Sequence, residues 1–502
     1  MRASIESRAM TALIPLHGSA AARALDQQAS ARLAGGAFEL MQRAGHAAWR
    51  QLQARWPDAQ RLTVVCGPGN NGGDGYVLAL AALQARRAVV VLHLEEHAPR
   101  TDLAQRACTA YIAAGGAIAL FPEQFPAAEV VVDALFGIGL ARAPEGQAQR
   151  LIEAINAQPA PVFALDVPSG IDASLATAPG VAVRAQMTLQ FIVRHHGLYT
   201  GAGLEHAGEL AFDALEVPAD LVQMSAPKAL LLTPQLLHTW LRPRRRDTHK
   251  GESGRVLLIG GDLGHGGAIA MTAEAALRSG AGLVSVATRK AHVGPLLARR
   301  PEAMTYAVES GSDLQPLLDA ADVVAIGPGL GQGDWGRALL RLALEAGKPL
   351  VLDADALNLI AANPRPLGDA ILTPHPGEAA RLLGRTPREV QADRFGAIAQ
   401  LCTRLHATVV LKGAGSVIAS EGQLPRVIAA GNPGMATGGM GDVLTGVIAA
   451  LRAQGLPSLE AASAGALLHG MAGDAAARRG QRGLLASDLF AHLQPLSNPQ
   501  PR

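Results

Sequence analysis

Short apolar runs recur along the chain, and each closes in a turn rich in Gly, Asp or Asn. The first clear run, residues 62–66, meets a Gly-rich turn, and an Ala- and Leu-rich segment with helical character follows over residues 76–86. Runs at residues 130–136 and 161–167 end in the same kind of polar, Gly-containing turn. Apolar runs that do not alternate with polar residues belong to strands buried on both faces. The spacing therefore predicts an α/β fold with a doubly wound parallel sheet, its C-terminal strand ends facing one crevice.

Residues 226–254 interrupt the pattern with Pro227, Pro234, Pro243 and a basic run from Arg242 to Arg246. A domain boundary near the start of this stretch divides the chain into residues 1–225 and 226–502. The basic run reads as a solvated linker face ahead of a phosphate contact. Beyond it the pattern restarts, with apolar runs at 256–259, 283–287, 323–326, 350–352, 370–372 and 408–411 separated by helical patterns such as 268–278. That alternation predicts a second α/β sheet. After Leu493 a Pro-containing tail is expected to fray.

Length agrees with two domains, since 502 residues exceed what one core usually organises. Aromatics make up 3% of a chain that is 49% hydrophobic, so aliphatic side chains must fill both cores. A formal charge of +2 gives no field to attract nucleic acid, and no apolar run reaches membrane-spanning length. Three scattered cysteines form neither a disulfide framework nor a metal knuckle, and the first 25 residues lack a secretory core. The expectation is a cytoplasmic protein acting on small molecules, with the oligomeric state left open.

Three turns carry the chemistry of the first half. Cys66-Gly-Pro-Gly-Asn-Asn-Gly-Gly-Asp-Gly75 holds five glycines, two asparagines and an aspartate between a strand and a helix. Glycine allows positive φ and lets backbone N–H groups approach a phosphate, although Gly and Asn also serve plain turns. Asp133 precedes Gly137 and Gly139, and Asp166 opens Asp166-Val-Pro-Ser-Gly-Ile-Asp172. One aspartate at a strand end is commonly a cap or turn former. Three such turns on successive strand ends favour a ligand site.

These strings resemble the YjeF N-terminal domain, the family of NAD(P)HX epimerases, over most of residues 10–220. The resemblance implies a Rossmann-like domain that inverts a hydrated nicotinamide dinucleotide, NADHX or NADPHX. It implies substrate contact by Asn70, Asn71, Gly72, Gly73 and Asp74, by Gly137, Ile138, Gly139, Leu140, Ala141, Arg142 and Ala143, and by Asp166. It also implies a potassium ion held by Asn71, Asp133 and Ser169, all oxygen donors suited to a hard cation. Asp166 is the candidate acid/base, because inverting a carbinolamine-like carbon requires proton transfers. Three positions depart from the family's pattern: Ile138 stands for a common Thr, Gln42 for a frequent Glu, and His195 where a Lys often precedes the Gly-Leu pair. A structural role is expected for His195.

In the second half Gly431-Asn-Pro-Gly-Met-Ala-Thr-Gly-Gly-Met-Gly-Asp-Val-Leu-Thr-Gly446 precedes an apolar helical run. A helix N-terminus with glycine-freed N–H groups makes an anion hole, and Asp442 beside it suits a general base for phosphoryl transfer. An N-cap role would explain Asp442 but not the six surrounding glycines. Gly327-Pro-Gly-Leu-Gly331, Asp353-Ala-Asp-Ala-Leu-Asn358, Thr373-Pro-His-Pro-Gly-Glu378 and Lys412-Gly-Ala-Gly-Ser416 each follow an expected strand.

These strings are similar to the ribokinase-like fold, and within it to the NAD(P)HX dehydratase family, over roughly residues 226–494. The resemblance implies substrate contact by Ala268, Gly327, His375 and Asp442, and nucleotide contact by Lys412, Gly413, Ala414, Gly415, Ser416 and Gly441. It implies ADP as phosphate donor with magnesium, Asp442 being catalytic. ATP as donor, or a vitamin or sugar kinase carrying a dinucleotide-sensing N-terminal domain, are the alternatives.

Overall fold

The computed structural model describes residues 13–122, 125–140 and 142–499, so Ala141 lies outside the described residues. Two compact units form, Pro15–Ala229 and Leu230–Arg502, the second joined by Leu13 and Ile14. The division falls after the expected residue 225 because the Pro-containing stretch is not all linker. Ala229–Leu232 is a strand that pairs in parallel with Arg426–Val427.

In the first unit the strands are β1 (Leu13–His17), β2 (Arg61–Cys66), β3 (Ala88–Leu94), β4 (Ala117–Phe121), β5 (Val130–Ala134), β6 (Val162–Leu165), β7 (Met187–Phe191), β8 (Arg194–His195) and β9 (Glu209–Asp213). Their main sheet runs β4-β3-β2-β5-β6-β7-β9, parallel throughout. β1 and β8, which are not part of that main sheet, pair in parallel with His17 opposite His195. Strand order reverses between β2 and β5, so a crevice opens beyond their carboxyl ends. Val64, Leu78, Val132 and Phe163 lie in an aliphatic-rich core under the helices Gly36–Arg55 and Asn70–Gln84.

The elements end earlier than the apolar runs suggest. β5 stops at Ala134 and β6 at Leu165, and the helix after β2 begins at Asn70 instead of Tyr76. The glycines of this motif thus sit at the entry and in the first turns of a helix. None of Gly67, Gly69, Gly72, Gly73 and Gly75 adopts positive φ. What most of them provide is close approach. A Cβ on Gly72 would lie 2.0 Å from the Gly67 carbonyl oxygen, and one on Gly75 would lie 2.7 Å from the Ala134 Cβ.

In the second unit the strands are β10 (Ala229–Leu232), β11 (Arg255–Ile259), β12 (Leu283–Thr288), β13 (Met304–Ala307), β14 (Val323–Ile326), β15 (Leu350–Leu352), β16 (Ile371–Leu372), β17 (Thr408–Leu411), β18 (Val417–Ala419) and β19 (Arg426–Val427). Their order is β13-β12-β11-β14-β15-β16-β17-β18-β19-β10. Pairing is parallel from β13 to β17 and antiparallel through β17, β18 and β19. Here too the order reverses, between β11 and β14. The helix Met440–Ala453 starts well before the apolar run at Val447, which makes Asp442 its third residue. Gly446 lets this helix touch Gly266–Arg278, since a Cβ there would lie 2.2 Å from the Thr272 carbonyl oxygen.

Among the described residues no helix is long and apolar enough to cross a membrane, and Cys66, Cys108 and Cys402 are free.

Candidate functional site

A cavity of about 1070 Å³ opens at the switch point of the first unit, at the upper end of the range usual for small-molecule sites. Its wall includes Asn70, Asn71, Asp74, Gly137, Ile138, Gly139, Leu140, Arg142, Ala143 and Asp166. Gly72 and Gly73 are buried behind it, packed on Gly67 and Met41. Three amides at the start of the Asn70–Gln84 helix precede its first internal bond, from the Gly73 N–H to the Gly69 carbonyl at 3.2 Å. Such unfilled donors at a helix N-terminus favour an anion.

Asp166 follows β6 with φ +63, a conformation non-glycine residues rarely hold and one that recurs at functional sites. Its Oδ1 lies 2.8 Å from Nε2 of His195, whose side chain is 1% exposed. His195 also lines the cavity. Its backbone N–H donates to Gln190 Oε1 at 2.8 Å, and Gln190 Nε2 donates to the Tyr199 hydroxyl at 3.1 Å. Ile192, two residues before β8, has φ +63 as well, an outlier for a β-branched residue. The turn that delivers His195 is therefore strained.

Asp133 and Ser169 meet behind the cavity. Asp133 Oδ1 accepts from Ser169 Oγ at 2.6 Å and from the Leu135 N–H at 3.2 Å, while Oδ2 accepts from the Ser169 N–H at 2.8 Å. Burial pushes the Asp133 carboxyl up to about 6, the Ser169 bonds holding it lower than burial alone would. Ser169 Oγ also accepts from the Phe136 N–H at 2.8 Å. On the other side of this loop a Cβ on Gly137 would lie 3.4 Å from Asn71 Cβ. Both polar atoms of the Asn71 amide are buried without a protein partner. An oxygen-only donor set with an orphaned amide oxygen fits a hard monovalent cation.

In the second unit Asp353, fully buried after β15, is the hub. Lys412 Nζ donates to its Oδ1 at 2.8 Å and Thr445 Oγ1 to its Oδ2 at 2.9 Å. Burial alone would raise the Asp353 carboxyl, but Lys412 together with the Thr373 and Thr445 hydroxyls outweighs it and holds the group below its ordinary value. Lys412 Nζ also lies 3.8 Å from Glu378 Oε2, and His375 Nε2 lies 3.4 Å from Glu378 Oε1. The ammonium expected to meet a nucleotide is thus already ion-paired. Gly441 stands beside it, where a Cβ would lie 3.2 Å from Lys412 Nζ.

Asp442 faces this group from the first turn of its helix. Burial and then the Asp353 charge push its carboxyl up to about 7, with Lys412 partly opposing them. The helix makes its first internal bond from the Val443 N–H to the Gly439 carbonyl at 3.1 Å, which leaves the Met440, Gly441 and Asp442 amides to bind an anion. Gly439, with φ +92, makes the turn into it.

Of the other predicted residues, Gly327 and His375 border this group directly. Gly327, at φ +132, presses on Asp353, where a Cβ would lie 1.8 Å from the carbonyl oxygen. Gly329 packs on Ala268, where a Cβ would lie 3.3 Å from its Cβ. His375 caps the helix Pro376–Leu383, its Nδ1 accepting from the Gly377 N–H at 2.9 Å. Gly413, Ala414, Gly415 and Ser416 follow Lys412 in a turn over buried Arg394, which donates to the Leu411 carbonyl at 3.2 Å and the Gly415 carbonyl at 3.4 Å.

Asp353 and Glu378 lie in motifs the sequence singled out, but no role was assigned to either. Arg394, and Asp26 on the wall of the first cavity, gave no sequence signal. A further cavity of about 1090 Å³ among Trp240, Arg278, Ser279 and Gln454 contains none of the predicted residues.

Comparison with known proteins follows the same division. A family described as YjeF-related protein N-terminus matches residues 37–197, and one described as NAD(P)H-hydrate dehydratase matches residues 256–495. A bifunctional NAD(P)H-hydrate repair enzyme of Coxiella burnetii is 49% identical over 92% of this chain and 95% of its own length. That of Escherichia coli is 46% identical over 92% and 90%. A crystal structure of a ribokinase-like superfamily protein from Enterococcus faecalis is 33% identical, with a TM-score of 0.51, covering 53% of this chain and 95% of that one.

Proposed function

The chain belongs to the bifunctional NAD(P)H-hydrate repair enzymes, and from that premise we propose that its two units catalyse consecutive steps of one repair in the cytoplasm. The substrate is NADHX or NADPHX, in which water has added across a double bond of the reduced nicotinamide ring to leave a hydroxyl at C6. The first unit interconverts the two C6 epimers. The second dehydrates one of them at the expense of a nucleotide.

In the first cavity Asp166, held by His195, exchanges protons with the C6 substituent, and the Asn70–Gln84 helix N-terminus receives phosphate. Asn71, Asp133 and Ser169 would hold potassium, which would fix the loop that Gly137 begins and offset phosphate charge there.

In the second site Asp442 takes the proton from the C6 hydroxyl as that oxygen attacks the terminal phosphorus of ADP, and AMP departs. Phosphate is a far better leaving group than hydroxide. The ring nitrogen's electron pair expels it, and loss of the C5 proton restores the double bond. Amides at the Met440–Ala453 N-terminus and Lys412 hold the phosphates, and magnesium would arrive with the nucleotide. The observation that carries this half is a carboxylate poised near neutral pH beside an unfilled helix N-terminus.

The test is to incubate the full chain with hydrated NADH and either ADP or ATP, and to separate the products. One NADH and one AMP per ADP support the reading. A stable phosphorylated product would assign a kinase instead, and turnover with ATP alone would exchange the donor.

A further inference from the structure

Epimerisation at C6 removes a hydroxyl from one face of the ring and returns one to the other. A single carboxylate can serve one face at a time, so two proton-handling groups are needed on either side of the ring. Asp166 is one of them.

The cavity supplies a second carboxyl group across from it. Asp74 lies three residues beyond Asn71 on the Asn70–Gln84 helix, hence on the same face, and both line the cavity. This helix follows β2, whereas Asp166 follows β6, with β5 between them in the sheet. Two strand spacings of about 4.8 Å separate the strands that carry them, a gap that admits a ring. The loop after β5 fills the floor of that gap. A Cβ on Gly137 would lie 3.4 Å from Asn71 Cβ and 3.5 Å from Asp166 Oδ2, so this bare backbone lies between the two walls.

We propose that Asp74 is the second catalytic carboxyl of the epimerase, acting on the opposite face of the nicotinamide ring from Asp166. This rests on the epimerase reading above. Asp74 starts as the acid and Asp166 as the carboxylate. Asp74 gives its proton to the C6 hydroxyl, the C6–O bond breaks, and water leaves as the N1 electron pair forms an N1=C6 double bond. A water on the other face then bonds to C6, loses a proton to the Asp166 carboxylate, and returns the electron pair to N1. The product epimer leaves Asp74 ionised and Asp166 protonated, the state from which the reverse inversion starts.

The surroundings suit these roles. Burial pushes the Asp74 carboxyl well above its usual range, and the charges of Asp166 and Asp26 add to that. Asp166 instead is held in place by His195, whose Nε2 lies 2.8 Å from its Oδ1.

In the full chain, Asp74→Asn should lower kcat for interconversion of the NADHX epimers at least 100-fold with KM within about threefold. Asp74→Glu should recover part of that loss, and formate should restore turnover to Asp74→Gly. An Asp74→Asn enzyme that keeps kcat within threefold of the parent, while Asp166→Asn loses 100-fold, overturns the proposal and leaves the epimerase reading intact. A parent chain with no epimer exchange overturns that reading instead. Independently of any variant, epimer formed in H2¹⁸O should carry the label at C6, and retention of the original oxygen would overturn the route.

Discussion

Asp353 and Lys412, each one residue beyond the end of its strand, β15 and β17, form an ion pair of 2.8 Å, with Asp353 1% exposed and Lys412 19% exposed. β16 lies between those strands, so the pair ties the carboxyl edge of the parallel sheet together where Thr445 arrives from its helix. One contact therefore serves both stability and the charge state of the site.

Breaking this pair from one side leaves a charge buried without its partner, which costs about 3–5 kcal/mol. Lys412→Met should lower the second unit's unfolding midpoint accordingly. Because Asp353 in the folded chain is held below its ordinary value of 3.8, its contribution is complete above that value and disappears as pH falls through the folded one. The gap between parent and Lys412→Met in denaturant titrations should thus narrow under strongly acidic conditions. A gap independent of pH would contradict the assignment.

Asp442 works as a base only when ionised. With its carboxyl pushed up to about 7, the dehydration rate should climb about tenfold per pH unit below that value and level off above it. The profile is measured under saturating nucleotide, and a flat response from pH 5.5 to 8 would exclude Asp442 as the base.

His195 holds Asp166 at the cavity wall. His195→Ala should lower epimer exchange about tenfold or more and leave dehydration of the competent epimer unchanged. Stopped-time chromatography of the two epimers reads both rates in one sample.

Gly72 tests the packing account of the Asn-rich motif. A methyl group 2.0 Å from the Gly67 carbonyl oxygen must displace the helix entry, so Gly72→Ala should destabilise the first unit by about 1–3 kcal/mol. Gly69→Ala, with nothing within 4 Å of the added carbon, should cost much less. Equal effects would favour a purely conformational role for these glycines.

Much of this organisation was legible in the sequence, since parallel strands buried on both faces leave unbroken apolar runs and their Gly- and Asp-containing exits mark the crevice. Element edges were less legible. Asn70 and Met440 begin helices that composition assigned to loops, because glycine required for close packing looks the same as glycine required for a turn. Motifs identified the strand-end aspartates but not their partners. The Lys412–Asp353 pair joins residues 59 apart in sequence and the His195–Asp166 pair residues 29 apart. Arg394 left no trace, as a buried arginine that braces a turn is written like any helical surface arginine.

Two separable sites are the core of the account, and one experiment addresses them together. The full chain, Asp166→Asn and Asp442→Asn are each given an equal mixture of NADHX epimers with ADP, and both epimers and NADH are followed over time. Two separate sites require complete conversion by the parent, rapid conversion of only half the substrate by Asp166→Asn, and no NADH but undiminished epimer exchange with Asp442→Asn. NADH formation by Asp442→Asn, or loss of both activities through either substitution, would contradict that separation.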